Sequence, residues 1–181
     1  MDFLDLAKKR QSCRSYDPAR TVEPGKLERC IEAVRIAPSA CNAQPWKLVV
    51  VNDPILKNKV AKAAGSKLLG INSFPEKAPV LVVIVREKPN LTSKLGTVVK
   101  DKPYTIMDVG IAAAHFCLQA ASEGLGTCMI GWFDEQKVKE LLGIPKKKRA
   151  ELIIAVGYPA KQGIREKIRK KTGEICSFNH Y

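Results

Sequence analysis

At 181 residues, 45% of them hydrophobic, the chain is long enough to bury a real core as one domain spanning 1–181, which excludes a disordered or low-complexity protein. Thirty-one Lys and Arg against eighteen Asp and Glu leave a formal net charge of +13, most of it expected on a solvated surface.

Phe3 to Lys9 reads as a short amphipathic helix, with Phe3, Leu6 and Ala7 on one side. The pentad Arg10-Gln11-Ser12-Cys13-Arg14 follows as an extended segment. Its alternation sets two guanidinium groups and a hydroxyl along one edge, a fork for a hydrogen-bonding anion such as a phosphate. Pro24 opens a second helix whose apolar face is Leu27, Cys30, Ile31 and Val34, and Pro38 stops it. In the proline-braced stretch Ser39 to Trp46, Asn42 and Gln44 add amides that both donate and accept. Charge for a phosphate together with amides for a heterocycle points to a nucleotide-like cofactor.

Leu48 to Val51 reads as a buried strand, and Asp53-Pro54 starts a third helix through about Ala64. Val80 to Val85 is the most strand-like segment of the chain. From Glu87 to Pro103 the pattern turns polar and loses its period, as in a loop or short lid. Thr105 to Glu123 is a long helix, apolar on nearly every face, so it is central or lies in an oligomer interface; Gly124 ends it. Asp108 near its start fits the helix dipole, and His115 reads as a satisfied core histidine. A strand over Thr127 to Trp132, a helix from Asp134 to Leu142 and a strand over Glu151 to Val156 complete the pattern, before Gly157-Tyr158-Pro159 turns into a basic tail. Helices and strands alternate, so the class is α/β or α+β.

The cysteines at 13, 30, 41, 117, 128 and 176 form neither a CxxC pair nor a zinc spacing; no metal site is read, and reduced thiols in the cytoplasm are expected. The acidic start Met1-Asp2-Phe3-Leu4-Asp5-Leu6 is no secretory leader. Asp108, His115 and Gln119 interrupt the longest apolar run, so no membrane span is expected. Basic residues crowd from Lys146 to Lys171. Most read as a solvated surface. The sharper alternative is a binding protein for nucleic acid or another polyanion through 146–171, although the tract lacks interleaved aromatics.

Four pieces stand in register: Arg10-Gln11-Ser12-Cys13-Arg14-Ser15-Tyr16; Pro38-Ser39-Ala40-Cys41-Asn42-Ala43-Gln44-Pro45-Trp46; Asp108-Val109-Gly110-Ile111-Ala112-Ala113 with Gly124-Leu125-Gly126-Thr127; and Ala155-Val156-Gly157-Tyr158-Pro159. Together they resemble the nitroreductase family over nearly the whole chain. The resemblance implies an α+β fold, a three-layer α/β/α sandwich with a mostly antiparallel central sheet flanked by helices. It also implies an intertwined homodimer with one FMN at each end of the subunit interface.

The resemblance assigns Arg10 and Ser12 to the FMN phosphate and ribityl chain and Arg14 to the flavin pyrimidine. A fixed cation beside the pyrimidine favours reduction, because reduced flavin gathers negative charge there. Pro38, Ser39, Ala40 and Asn42 match the loop that covers the flavin from the partner subunit or hydrogen-bonds its ring. Ile130 and Gly131 match the backbone that approaches N5 and O4. Lys167-Ile168-Arg169 matches a Lys-x-Arg that closes on the phosphate, while Gln11 departs from the basic residue common at its position. No side chain is assigned a catalytic role. The implied activity is a two-step shuttle in which NAD(P)H reduces the flavin and a nitroaromatic, quinone or similar electron-poor acceptor is then reduced. Other flavin chemistry within the family, dehalogenation or flavin fragmentation, stays open. So does the donor, because relatives with broad reductase activity often carry an extra helical segment where Glu87 to Tyr104 is short and polar.

Overall fold

The computed structural model describes residues 2–65, 73–89, 102–161 and 163–181. Four strands, β1 (Trp46–Val51), β2 (Val80–Arg86), β3 (Gly126–Ile130) and β4 (Arg149–Gly157), pair antiparallel in the order β1-β2-β4-β3. The two central strands are β-branched runs, VLVVIVR and RAELIIAVG, which suit a pleat covered on both faces.

Their period of two divides the core. Val80, Val82, Ile84, Ile154 and Val156 pack on one face against α2 (Pro24–Arg35) and α4 (Tyr104–Ser122). Leu81, Val83, Val85, Ile153 and Ala155 pack on the other against α3 (Pro54–Ala63) and α5 (Glu135–Leu142). The result is the expected three-layer α/β/α sandwich, with α1 (Phe3–Lys9) beside α4.

Several elements are shifted from their sequence reading, each for a local reason. In α2 the buried stripe is Leu27, Cys30 and Val34, at helical spacing, and this turns Ile31 outward at 38% exposure. Strand β1 is an edge strand, half-buried from Leu48 to Val50 and buried only at Val51, rather than a fully buried one. Strand β3 stops at Ile130, and β4 runs from Arg149 because its bulged pairing with β2 continues to Arg86. Helix α4 buries Val109, Ala112, Ala113 and Phe116 but leaves Ile106 and Met107 exposed. His115 places Nδ1 2.9 Å from the Ile111 carbonyl, so the ring is satisfied by its own helix.

Past Tyr158 the tail is extended and exposed, with one short helical turn, α6 (Thr172–Ile175), that the sequence did not announce. The loop or lid read over 87–103 falls largely outside the described residues. Among the described residues, no helix is long and apolar enough to cross a membrane, and no cluster of metal-ligating side chains occurs.

Candidate functional site

The pentad is fixed before any ligand is considered. Arg10 caps the C-terminus of α1 with an extended backbone, donating its N–H to Leu6 O. Ser12 then forms a parallel bridge to Thr127, and the Cys13 N–H donates to Thr127 O at 2.8 Å, so the segment runs along the open edge of β3. Gly126 permits this approach: a Cβ there would lie 2.7 Å from Cys13 Cβ. Tyr16, 1% exposed, holds the far end, with its hydroxyl 2.8 Å from Cys13 O and 3.1 Å from Ala155 O. Burial, followed by the neighbouring thiols, raises its pKa, so the phenol keeps its proton as a donor.

Alternation along that edge places Arg10, Ser12 and Arg14 in one groove of about 290 Å³, facing Arg165, Lys167 and Arg169 of the tail. Glu166 is the one carboxylate that lines it among the described residues. This is a cationic fork with a hydroxyl, suited to a phosphate monoester. Lys167 has a further duty. Its ammonium donates to Ala7 O at 2.9 Å, to Arg10 O at 2.7 Å and to Lys8 O, which closes the C-terminal end of α1. Desolvation, followed by the charges of Arg10 and Arg169, lowers its pKa.

Ile130 and Gly131 lie at the end of β3, where Ile130 is buried and Gly131 is exposed. A Cβ on Gly131 would meet nothing nearer than Leu152 Cδ2 at 4.0 Å. Packing within the chain therefore does not demand a glycine there, and the backbone is open to a planar ligand.

The Pro38–Asn42 loop forms a separate group, and none of its residues lines the groove. Its Ala40 N–H donates to Asp108 Oδ1 at 3.0 Å, and Ser39 Oγ accepts from the Gln44 N–H at 2.9 Å. Gln44 Nε2 donates to Asn42 Oδ1 at 3.1 Å. Cys41, Asn42 and Gln44 all hold positive φ, at 51°, 50° and 45°. Strain at three non-glycine residues of one short loop is retained where the loop must present its groups in one way.

The sequence reading missed two residues. Arg165 lines the groove and was legible as the first member of an alternating Arg165-x-Lys167-x-Arg169. Asp108 is 3% exposed and anchors the loop rather than only meeting a helix dipole; its Oδ2 has no hydrogen-bond partner among the described residues. Nothing in the spacing joined it to Ala40. The basic run from 146 is broken up by ion pairs, Lys148 with Glu87 at 2.6 Å and Arg149 with Glu135 at 2.9 Å.

The Nitroreductase family model matches residues 7–72 and 66–158. An NADH dehydrogenase of Thermus thermophilus is 29% identical over 191 residues, covering 90% of this chain and 89% of its own. An iodotyrosine deiodinase of Thermotoga neapolitana is 27% identical over 180 residues, covering 87% and 88%. Among solved structures, an FMN-dependent nitroreductase from Clostridium difficile superposes with a TM-score of 0.80 at 26% identity, covering 98% of this chain and 99% of that one.

Proposed function

The chain belongs to the nitroreductase family of FMN-dependent oxidoreductases, and from that premise we propose that 1–181 works as one FMN-binding unit catalysing a two-step, NAD(P)H-driven reduction of nitroaromatic, quinone or similar electron-poor acceptors. When bound, FMN would supply the redox chemistry between the donor and the acceptor.

The chain's own residues bind and orient. Arg10 and Ser12, with Lys167 and Arg169, hold the phosphate end, and Arg14 biases the ring end with positive charge. Ile130 and Gly131 offer open backbone beside the ring. Pro38, Ser39, Ala40 and Asn42 of a second copy cover the flavin in a homodimer. That assembly is supported by the apolar surface left exposed at Phe3, Leu4, Ile106, Met107 and Phe178. No side-chain acid or base is required. Cytoplasmic localisation belongs to the same reading, in keeping with the free thiols of Cys13, Cys30, Cys117, Cys128 and Cys176.

The observation that carries the proposal is the groove itself, in which cations on the pentad and on the tail converge with Ser12. Purified protein is expected to show flavin absorbance that bleaches with NADH or NADPH and returns with a nitroaromatic or quinone. A colourless protein that refuses added FMN overturns the reading. Reduced flavin that is reoxidised by a halogenated phenol and not by nitroaromatics would assign the dehalogenating chemistry, which the deiodinase relative favours as the second reading.

A further inference from the structure

Gln11, the place where the pentad lacks its usual basic residue, makes contacts that none of the residues flanking it shares. Its Nε2 donates to Gly163 O at 2.8 Å, and its Oε1 accepts the Arg165 N–H at 3.1 Å. One neutral amide thus pairs with the backbone of the tail as a neighbouring strand would. Gly163 turns the chain into this position with φ 103°, a conformation open to glycine. The same stretch is fastened twice more. Arg165 Nη2 donates to Ser12 O at 2.7 Å, and Lys167 caps α1 through Ala7, Lys8 and Arg10.

We infer that Gln11 and Lys167 latch Gly163–Arg169 across the end of α1, making this segment a strap over the phosphate groove that delivers Arg165 as a further phosphate-facing cation. The inference rests on the FMN reading of the groove. Its physical logic is a balance of two effects. Closing the strap brings Arg165, Lys167 and Arg169 against Arg10 and Arg14 with Glu166 as the opposing charge, so repulsion works to open it. Gln11 holds it with hydrogen bonds that add no charge. An amide is the side chain for this, since it donates to Gly163 O and accepts from the Arg165 N–H at once, whereas an arginine could only donate and would add to the repulsion. A bound phosphate removes that repulsion, so closure and phosphate binding promote each other reciprocally. Gln11 is a positioning residue, and Lys167 fastens the strap while lending its charge to the phosphate end. Arg165 makes the contact.

The strap therefore acts on the phosphate and not on the flavin ring, and riboflavin separates the two. Affinities of the apoprotein for FMN and for riboflavin would be measured by flavin fluorescence in the wild type, Gln11→Ala, Gln11→Glu and Arg165→Ala. Limited trypsin cleavage of the tail would be followed with each flavin. Each variant is expected to weaken FMN about five- to tenfold, the loss of a net hydrogen bond or more, with riboflavin affinity unchanged. FMN, but not riboflavin, is expected to slow cleavage after Arg165, Lys167 and Arg169. Equal weakening of both flavins, or FMN affinity unchanged in Gln11→Ala and Arg165→Ala, overturns the strap while the flavin assignment stands. Wild-type protein that binds neither flavin overturns both.

Discussion

Tyr16→Phe tests whether the pentad is held in place by the sheet or only by its ligand. The hydroxyl is buried between Cys13 O, at the pentad, and Ala155 O, in the middle of β4. Its one proton satisfies one acceptor fully, and its removal leaves a buried carbonyl short of a donor. That costs about 1–3 kcal/mol. Phe keeps the ring that fills the core beside Val83 and Ile153, so no cavity larger than an oxygen is added. For a chain of this size each kcal/mol lowers Tm by about 2–4 °C, so a fall of about 2–12 °C is expected in the apoprotein by calorimetry. The effect should extend to the site, because Cys13 lies between Ser12 and Arg14: FMN release should quicken in the variant. Since burial raises the Tyr16 pKa, the wild-type and variant difference should stay constant from pH 6 to 9. A Tm within 1 °C of wild type, or a difference that fades toward pH 9, would refute the claim that this hydroxyl anchors the segment.

Gly126→Ala forces a methyl within 2.7 Å of Cys13 Cβ and 3.1 Å of Pro159 Cγ, and should cost about 1–3 kcal/mol in urea unfolding as the pentad is pushed off β3. Unchanged stability would mean that the segment moves freely. Gly131→Ala has room on its own chain, so its stability should stay within about 0.5 kcal/mol of wild type while flavin binding or turnover falls; full activity would remove Gly131 from the site. Glu123→Gln probes the α2–α4 clamp, where Arg29 donates twice to the carboxylate at 2.6 and 2.8 Å. The Arg29 hydrogen bonds, ahead of the other causes, lower the Glu123 pKa below its ordinary value. The unfolded chain therefore binds the proton first, and this stability is present above the usual glutamate range and lost as pH falls through the folded value. The variant should show a flatter acid limb of Tm against pH, and an unchanged limb would reject the linkage.

What was legible in the sequence follows the range over which each signal acts. Local chemistry declared itself: Asp53 and Asp134 cap their helices as side-chain acceptors, Gly143 closes α5 at φ 62°, and the β-branched run of β2 is buried throughout. The even-numbered residues of the pentad could be read as one edge because alternation belongs to any extended strand. Contacts across long separations could not be read. Gln11 meets the tail across 152 residues, and Asp108 meets Ala40 across 68; neither partner lies at a spacing that any helix or strand period supplies. Lys167 illustrates the limit from the other side. The sequence puts a cation at this place in the tail, and it lines the groove with Arg10 and Ser12, yet its three carbonyl partners at the end of α1 depend on how the tail returns.

The distribution of charge, more than its total, argues for what the groove is for. Away from the groove, four arginines meet carboxylates, Arg29 with Glu123, Arg35 with Glu32, Arg86 with Glu151 and Arg149 with Glu135, and Arg20 lies over the Tyr158 ring. Such pairs each add little, but they leave no local field. In the groove Arg10, Arg14 and Arg169 have no ion-pair partner among the described residues, and Lys167 is turned to carbonyls rather than to an acid. A fold that pairs most of its other arginines with acids and gathers unpaired ones here accepts a local destabilisation, and functional sites are where such departures from self-consistency persist. In the proposed reading the anion that relieves it is a single phosphate, small enough for about 290 Å³ and able to bond Ser12 as well as the guanidinium groups. An extended polyanion would instead need a continuous basic face, and within the 146–171 run Lys148 and Arg149 are already paired with Glu87 and Glu135.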